Sequence, residues 1–138
     1  DVIKVEYNDK NIIFHIECKE DAVNVVEKIR KLRMKAWIAI NPSTNLERVS
    51  GIVNKIDGIM FMGVYPGREK QRFVENVYGK IKRFKREHKR IKIQVDGGVN
   101  LNTIAKLRKI GVNIVNTGSF VSEAENPGKA LKELGKRF

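Results

Sequence analysis

Five short β-favouring runs alternate with helical segments along this chain, and that alternation limits the fold more than any single residue does. Asn11–Ile16 (NIIFHI), Lys35–Ile40 (KAWIAI), Ile59–Val64 (IMFMGV), Ile91–Val95 (IKIQV) and Val112–Asn116 (VNIVN) read as strands. They are apolar almost throughout, as strands buried on both faces are. Lys19 to Arg33 reads as a helix, with Ala22, Val25, Val26, Ile29 and Leu32 at helix-face spacing. Ser43 to Glu47 starts another, with Thr44 as its cap and Glu47 completing a capping box. Gln71–Glu87 is the longest helical segment, Asn100–Ile110 is followed by Gly111 as its C′ residue, and Pro127–Lys136 carries Pro in its first turn. Strands joined this way form right-handed βαβ units and a parallel sheet. No linker or low-complexity tract divides the 138 residues, so a single α/β domain over 1–138 is expected. A doubly wound open sheet and part of a (β/α)8 barrel both fit the pattern.

Charge narrows the partners. The chain carries 28 Lys and Arg against 16 Asp and Glu, a net charge of +12, and such a protein attracts phosphate in some form. The densest basic stretch runs from Lys80 to Lys92, punctuated by Ile81, Phe84 and Ile91, and reads as the solvated face of an amphipathic helix. No nucleic-acid-binding motif accompanies it, and no apolar run approaches the ~20 residues of a membrane span. One cysteine, Cys18, excludes an internal disulfide framework, fits a reducing cytoplasm, and reads as a small buried apolar residue. His15 reads as a hydrogen-bonded strand histidine and His88 as a solvated one.

The residues with chemical character fall where strands run out: Glu17, Asn41-Pro42, Pro66-Gly67, Asp96-Gly97-Gly98 and Thr117-Gly118-Ser119. Ligands bind at strand C-termini in both candidate architectures. Glycine pairs let consecutive backbone N–H groups converge on an anion. Gly118-Ser119 adds a hydroxyl and leads into a short segment, Phe120–Glu123, whose N-terminus points the same way.

Taken in order, His15-Ile16-Glu17, Asn41-Pro42-Ser43-Thr44, Met62-Gly63-Val64-Tyr65-Pro66-Gly67, Val95-Asp96-Gly97-Gly98-Val99 and Thr117-Gly118-Ser119 resemble the H-x-E, N-P-x-T, M-x-V-x-P-G-F-G-G-Q, V-D-G-G and G-S signatures of ribulose-phosphate 3-epimerases. The resemblance implies a partial (β/α)8 TIM barrel of five βα units, the C-terminal portion, with its strands matching strands four to eight. It also implies an isomerase of the pentose phosphate pathway that interconverts ribulose 5-phosphate and xylulose 5-phosphate through an enediolate, by proton transfer at C3. By resemblance, Asp96 is one of two acid/base aspartates and also a ligand of a divalent metal (zinc, iron or manganese). Gly97, Gly98, Gly118 and Ser119 hold the phosphate, Met62 walls the enediolate, and Gly67 belongs to the substrate loop.

Two departures qualify that expectation. The family's second aspartate and its metal-ligand histidines belong to strands one to three, and nothing before Asn11 supplies them; a zinc site takes three or four protein ligands. The loop after Gly67 reads Arg68-Glu69-Lys70-Gln71 in place of F-G-G-Q. Five strands of an eight-stranded barrel also leave two unpaired edges. The expected resolution is a missing N-terminal portion, a homo-oligomer that closes the barrel, or a rearranged open sheet. The alternative function is a non-catalytic sugar-phosphate-binding or scaffold protein that has lost the metal site.

Overall fold

A computed structural model of the chain describes residues 6–8, 10–67 and 70–138, the first three through their backbone alone. Asp1–Lys4, Arg68 and Glu69 lie outside the described residues. The elements are β1 Glu6–Asn8, β2 Asn11–His15, α1 Ala22–Lys31, β3 Lys35–Ile40, β4 Gly58–Met62, α2 Asn76–Glu87, β5 Lys92–Asp96, α3 Ile104–Lys109, β6 Ile114–Asn116, α4 Ser119–Ser122 and α5 Pro127–Arg137. Six strands form one sheet in sequential order. β2 to β6 are all parallel. A doubly wound sheet reverses its strand order at a switch point; here it never reverses.

The two faces of the sheet settle the architecture. Phe14, Ile38, Ile40, Ile59, Phe61, Ile93 and Val95 point to the side where Val25, Val26 and Ile29 of α1, Ile81 and Phe84 of α2, and Ile104 and Leu107 of α3 pack, in one continuous core. The alternate residues Ile13, Trp37, Ala39 and Met60 form a small separate cluster on the other side. Helices therefore cover one face only, as on the outside of a barrel, and the second face is its interior. Gly58 is required there, because a Cβ would lie 2.4–2.5 Å from the Trp37 indole. The fold is a partial (β/α) barrel of five parallel strands.

The element bounds differ from the sequence expectations for local physical reasons. Asp21 caps α1 by accepting from the N–H groups of Val23 (3.0 Å) and Asn24 (3.1 Å), so that helix starts at Ala22 and not at Lys19. Thr44 caps nothing: its hydroxyl donates to Glu17, Glu47 pairs with Arg83, and the segment forms two short 3-10 turns, Leu46–Val49 and Val53–Lys55. α2 begins at Asn76 because residues 71–74 are used in closing the preceding loop: Gln71 bonds the backbone of Tyr65, and the Val74 N–H donates to the Gly63 carbonyl (2.8 Å). Asn100 and Thr103 build the turn ahead of α3, with the Asn100 side chain accepting from the Asn102 and Thr103 N–H groups. Gly111, at φ 91°, ends that helix as expected. Cys18 is only half-buried, packed against the core with its thiol 3.4 Å from the Glu20 carbonyl. His88 is not simply solvated, since its ring lies 4.7 Å from that of Phe84.

One strand was not anticipated. β1 pairs antiparallel with β2, Glu6 against Ile13 and Asn8 against Asn11, on the edge where a closed barrel would add a parallel neighbour. The β2 edge is thereby covered, and the edges of the sheet are β1 and β6. No helix among the described residues is long and apolar enough to cross a membrane.

The sheet–helix core holds the site in place, and its centre is Phe61, 1% exposed with its ring edge-on to Phe84 at 5.8 Å. Phe61→Ala should lower the unfolding free energy by about 3–5 kcal/mol, seen as a fall in the denaturant midpoint at unchanged m-value.

Candidate active site

Parallel register assembles the site. Met62 of β4 pairs with Asp96 of β5, and Asp96 with Asn116 of β6, so the three sit in one row at the strand C-termini on the interior face. One step below, Gln94 is the buried polar residue among the described ones, and its amide donates to the Asn116 side chain at 2.9 Å. That bond fixes the orientation of the Asn116 amide beside Asp96. The Asp96 carbonyl accepts from the Gly63 N–H (2.6 Å), tying the two loops together just beyond the sheet.

Two cavities meet at Asp96. The first, of about 330 Å³, is lined by Ile13, His15, Asn41, Met60, Met62, Val64, Tyr65, Pro66 and Gly67 as well as Asp96. Its wall is apolar with a few polar groups converging, as in small-molecule sites. The Asn41 side-chain oxygen is buried with no hydrogen-bond partner among the described residues, and an unsatisfied buried polar atom concentrates at functional sites. The second cavity, of about 470 Å³, is lined by Asp96, Gly97, Gly98, Asn100, Asn116, Gly118 and Ser119, with Lys70 and Glu123 at its rim. Gly97 and Gly98 both adopt positive φ, 93° and 69°, and a Cβ on Gly98 would meet the Phe73 backbone at 3.0 Å. Only glycine turns the chain this way while leaving its amides open to a ligand. The turn after Ser119 is a single one, α4, whose Ser122 N–H bonds back to the Gly118 carbonyl (3.0 Å).

The seven residues to which the resemblance assigns a site role each line one of two adjoining cavities. Met62 and Gly67 fall in the first, Gly97, Gly98, Gly118 and Ser119 in the second, and Asp96 in both. His15 and Asn41 were noted in the sequence motifs without a site role, and Gln94, Asn100 and Asn116 were not singled out at all. A polar side chain inside an otherwise apolar strand, as at Gln94 in IKIQV, was the available signal.

Glu17 organises the first cavity's far wall. One of its oxygens accepts from the Asn41 N–H (2.9 Å) and the Thr44 hydroxyl (2.5 Å), and the other lies 3.3 Å from His15 Nδ1. Burial opposes its ionisation, but the hydrogen bonds from His15, Asn41 and Thr44 outweigh burial and bring its pKa down from 4.5 to about 2. Lys80 braces the same loop by donating to the carbonyls of Pro42 and Thr44, and burial lowers its pKa. His15, with Nδ1 held by Glu17, is itself part of the cavity lining.

A sequence-family model described as the ribulose-phosphate 3 epimerase family matches residues 3–122. The chain belongs to that family. It is 32% identical over 131 residues to a ribulose-phosphate 3-epimerase of Mycobacterium bovis, a match covering 92% of this chain and 57% of the relative. The corresponding enzyme of Buchnera aphidicola is 33% identical over 91% of this chain and 57% of its own length, and that of Escherichia coli 28% over 89% and 56%. The chain therefore spans somewhat more than half the length of these epimerases. Among solved structures, 3-hexulose-6-phosphate synthase from Salmonella typhimurium superposes with a TM-score of 0.72 at 12% identity, over 93% of this chain and 61% of that one. The tryptophan synthase A-subunit of Pyrococcus furiosus gives 0.64 at 22% identity, over 93% and 54%. These likenesses show that this chain shares their fold.

Among the described residues, no three of His, Cys, Asp and Glu are grouped to hold an ion. Asp96 alone is too few for a zinc site, which takes three or four protein ligands.

Glu17 offers a measurable consequence. Its lowered folded pKa means that its contribution is complete above the unfolded value of 4.5 and disappears as pH falls through about 2. Glu17→Gln should cost about 1–2 kcal/mol at pH 7, a shift-derived figure discounted for the partly exposed carboxylate. The gap between wild type and variant in unfolding free energy should narrow across that acid window.

Proposed function

We propose that this chain is the C-terminal, phosphate-gripping portion of a ribulose-phosphate 3-epimerase, a single domain over 1–138 that acts on phosphorylated pentoses. The observation that carries the reading is the junction of the two cavities at Asp96. A sugar phosphate laid across them would place its phosphate on the Gly97-Gly98 and Gly118-Ser119 amides and its carbon chain against Met62. C3 would then lie beside the Asp96 carboxylate. Ribulose 5-phosphate and xylulose 5-phosphate differ only in configuration at C3, so removing a proton from one face and returning it to the other interconverts them. Asp96 serves one face as general base or acid. Met62 and Met60 present an apolar wall that cannot protonate the intermediate, and Gly67 positions the loop above them.

The second acid/base residue and the remaining ligands of a divalent metal (zinc, iron or manganese) belong, on this reading, to barrel strands one to three. An N-terminal portion or a second copy against the open β6 edge would complete the interior, in a cytoplasmic enzyme.

A second reading, a sugar-phosphate-binding protein without catalysis, has one specific observation in its favour: β1 runs antiparallel on the edge of β2, where a full barrel would have its third strand. Proton exchange separates the two. Ribulose 5-phosphate in deuterated buffer should acquire deuterium at C3 in the presence of the protein, about 10²–10⁴-fold more slowly with Asp96→Asn. Binding, seen as a raised thermal midpoint, without any exchange decides for the second reading. Full-rate epimerisation by the 138 residues alone would overturn the placement of essential residues on strands one to three.

A further inference from the structure

One rim residue of the glycine-lined cavity does not match its surroundings. Lys70 adopts φ 52°, and among the described residues Arg33 is the other non-glycine at positive φ. That conformation is unfavourable for any side chain with a Cβ and persists only where neighbours impose it. Gln71 does so, since its side chain accepts from the Tyr65 N–H (3.3 Å) and donates to the Tyr65 carbonyl (2.6 Å), clamping the base of the loop. The loop thus keeps a backbone turn suited to glycine while carrying a cation. Across the cavity mouth, the Lys70 ammonium lies 3.6 Å from a carboxylate oxygen of Glu123. The two side chains are 71% and 57% exposed, and so open a pair is weak and readily exchanged.

We propose that Lys70 is a specificity-determining residue for the phosphate group, and that Glu123 is its resting partner, displaced when a phosphate dianion enters. The inference rests on the reading of this cavity as the phosphate site and adds a side-chain charge to it. A phosphate monoester carries about −1.5 to −2 at neutral pH and three acceptor oxygens, so it outcompetes one solvated carboxylate for the ammonium. The Gly98, Gly118 and Ser119 groups fix where the anion sits; Lys70 discriminates by charge. Two consequences separate this from a site made of amides alone. Removing the competing carboxylate should tighten binding, and affinity should fall more steeply with salt because the exposed charge is screened.

The test is calorimetric titration of the 138-residue protein with inorganic phosphate and with ribulose 5-phosphate, at low and at physiological ionic strength, after melting curves show each variant folded. Lys70→Ala should weaken both ligands about tenfold and flatten the salt dependence, Lys70→Arg should retain most of the affinity, and Glu123→Gln should strengthen binding a few-fold. Lys82→Ala, on the outer helix α2, should change nothing; an equal loss there would mean unspecific attraction to a basic protein and would overturn the proposal. Wild-type affinity in Lys70→Ala alongside weakened binding in Ser119→Ala would sink the role of Lys70 and leave the phosphate site standing. No binding of either ligand by the wild type would remove both.

Discussion

The period-two alternation of five parallel strands is the constraint from which the rest of this structure follows. In a parallel ladder, paired residues project to the same face, so a row of side chains crosses the sheet at each level. The level holding Ile38, Ile59 and Ile93 faces the helices, all three at 0% exposure, and supplies the burial that holds the sheet together. The level holding Met62, Asp96 and Asn116 faces the barrel interior at the C-terminal rim. A one-residue slip of β5 would send Asp96 into the helix interface and bring Val95 to the site. Hydrophobic burial one level away thus sets the level of this row, and hydrogen bonds such as Gln94 to Asn116 orient the side chains within it.

The interior face is the less complete of the two. Trp37, Met60 and Ala39 are nearly inaccessible, yet the Trp37 indole N–H is buried without an acceptor among the described residues, as are the Asn41 side-chain oxygen and the Thr117 hydroxyl. Buried polar atoms left unpaired each cost on the order of 1–3 kcal/mol. Aliphatic and aromatic side chains make up the outer core. The outer face supplies most of the burial, and two of the unsatisfied groups, on Trp37 and Asn41, lie on the interior face.

How much could be read from the sequence depended on how local the cause was. β3 was legible to the residue, Lys35–Ile40, since an apolar run between a basic turn and Asn41-Pro42 has one interpretation. α5 was legible from Pro127, and the Asp96-Gly97-Gly98 turn from glycines that no other residue replaces at those φ values. β1 was not, because Glu6-Tyr7-Asn8 holds one apolar residue and becomes a strand only through backbone pairing with β2. Thr44 looked like a cap because serine and threonine before an acidic residue usually are. Its hydroxyl went instead to Glu17, 27 positions away in sequence, once β2 and β3 had paired. The Glu17 cluster joins residues 15, 17, 41 and 44, which no window on the sequence brings together.

On the proposed reading, this distribution leaves the chain with half of an active site. On that reading the groups that recognise phosphate, Gly97, Gly98, Gly118 and Ser119, all come from the turns after β5 and β6. Epimerisation asks for more. Inverting one carbon requires proton donors and acceptors on opposite faces of the substrate, hence on opposite sides of a barrel axis. A sheet of five curved parallel strands can surround only one side, and the carboxylate it offers there is Asp96. On the proposed reading, affinity for sugar phosphate belongs to these residues, whereas inversion at C3 depends on groups that must face Asp96 from across the interior.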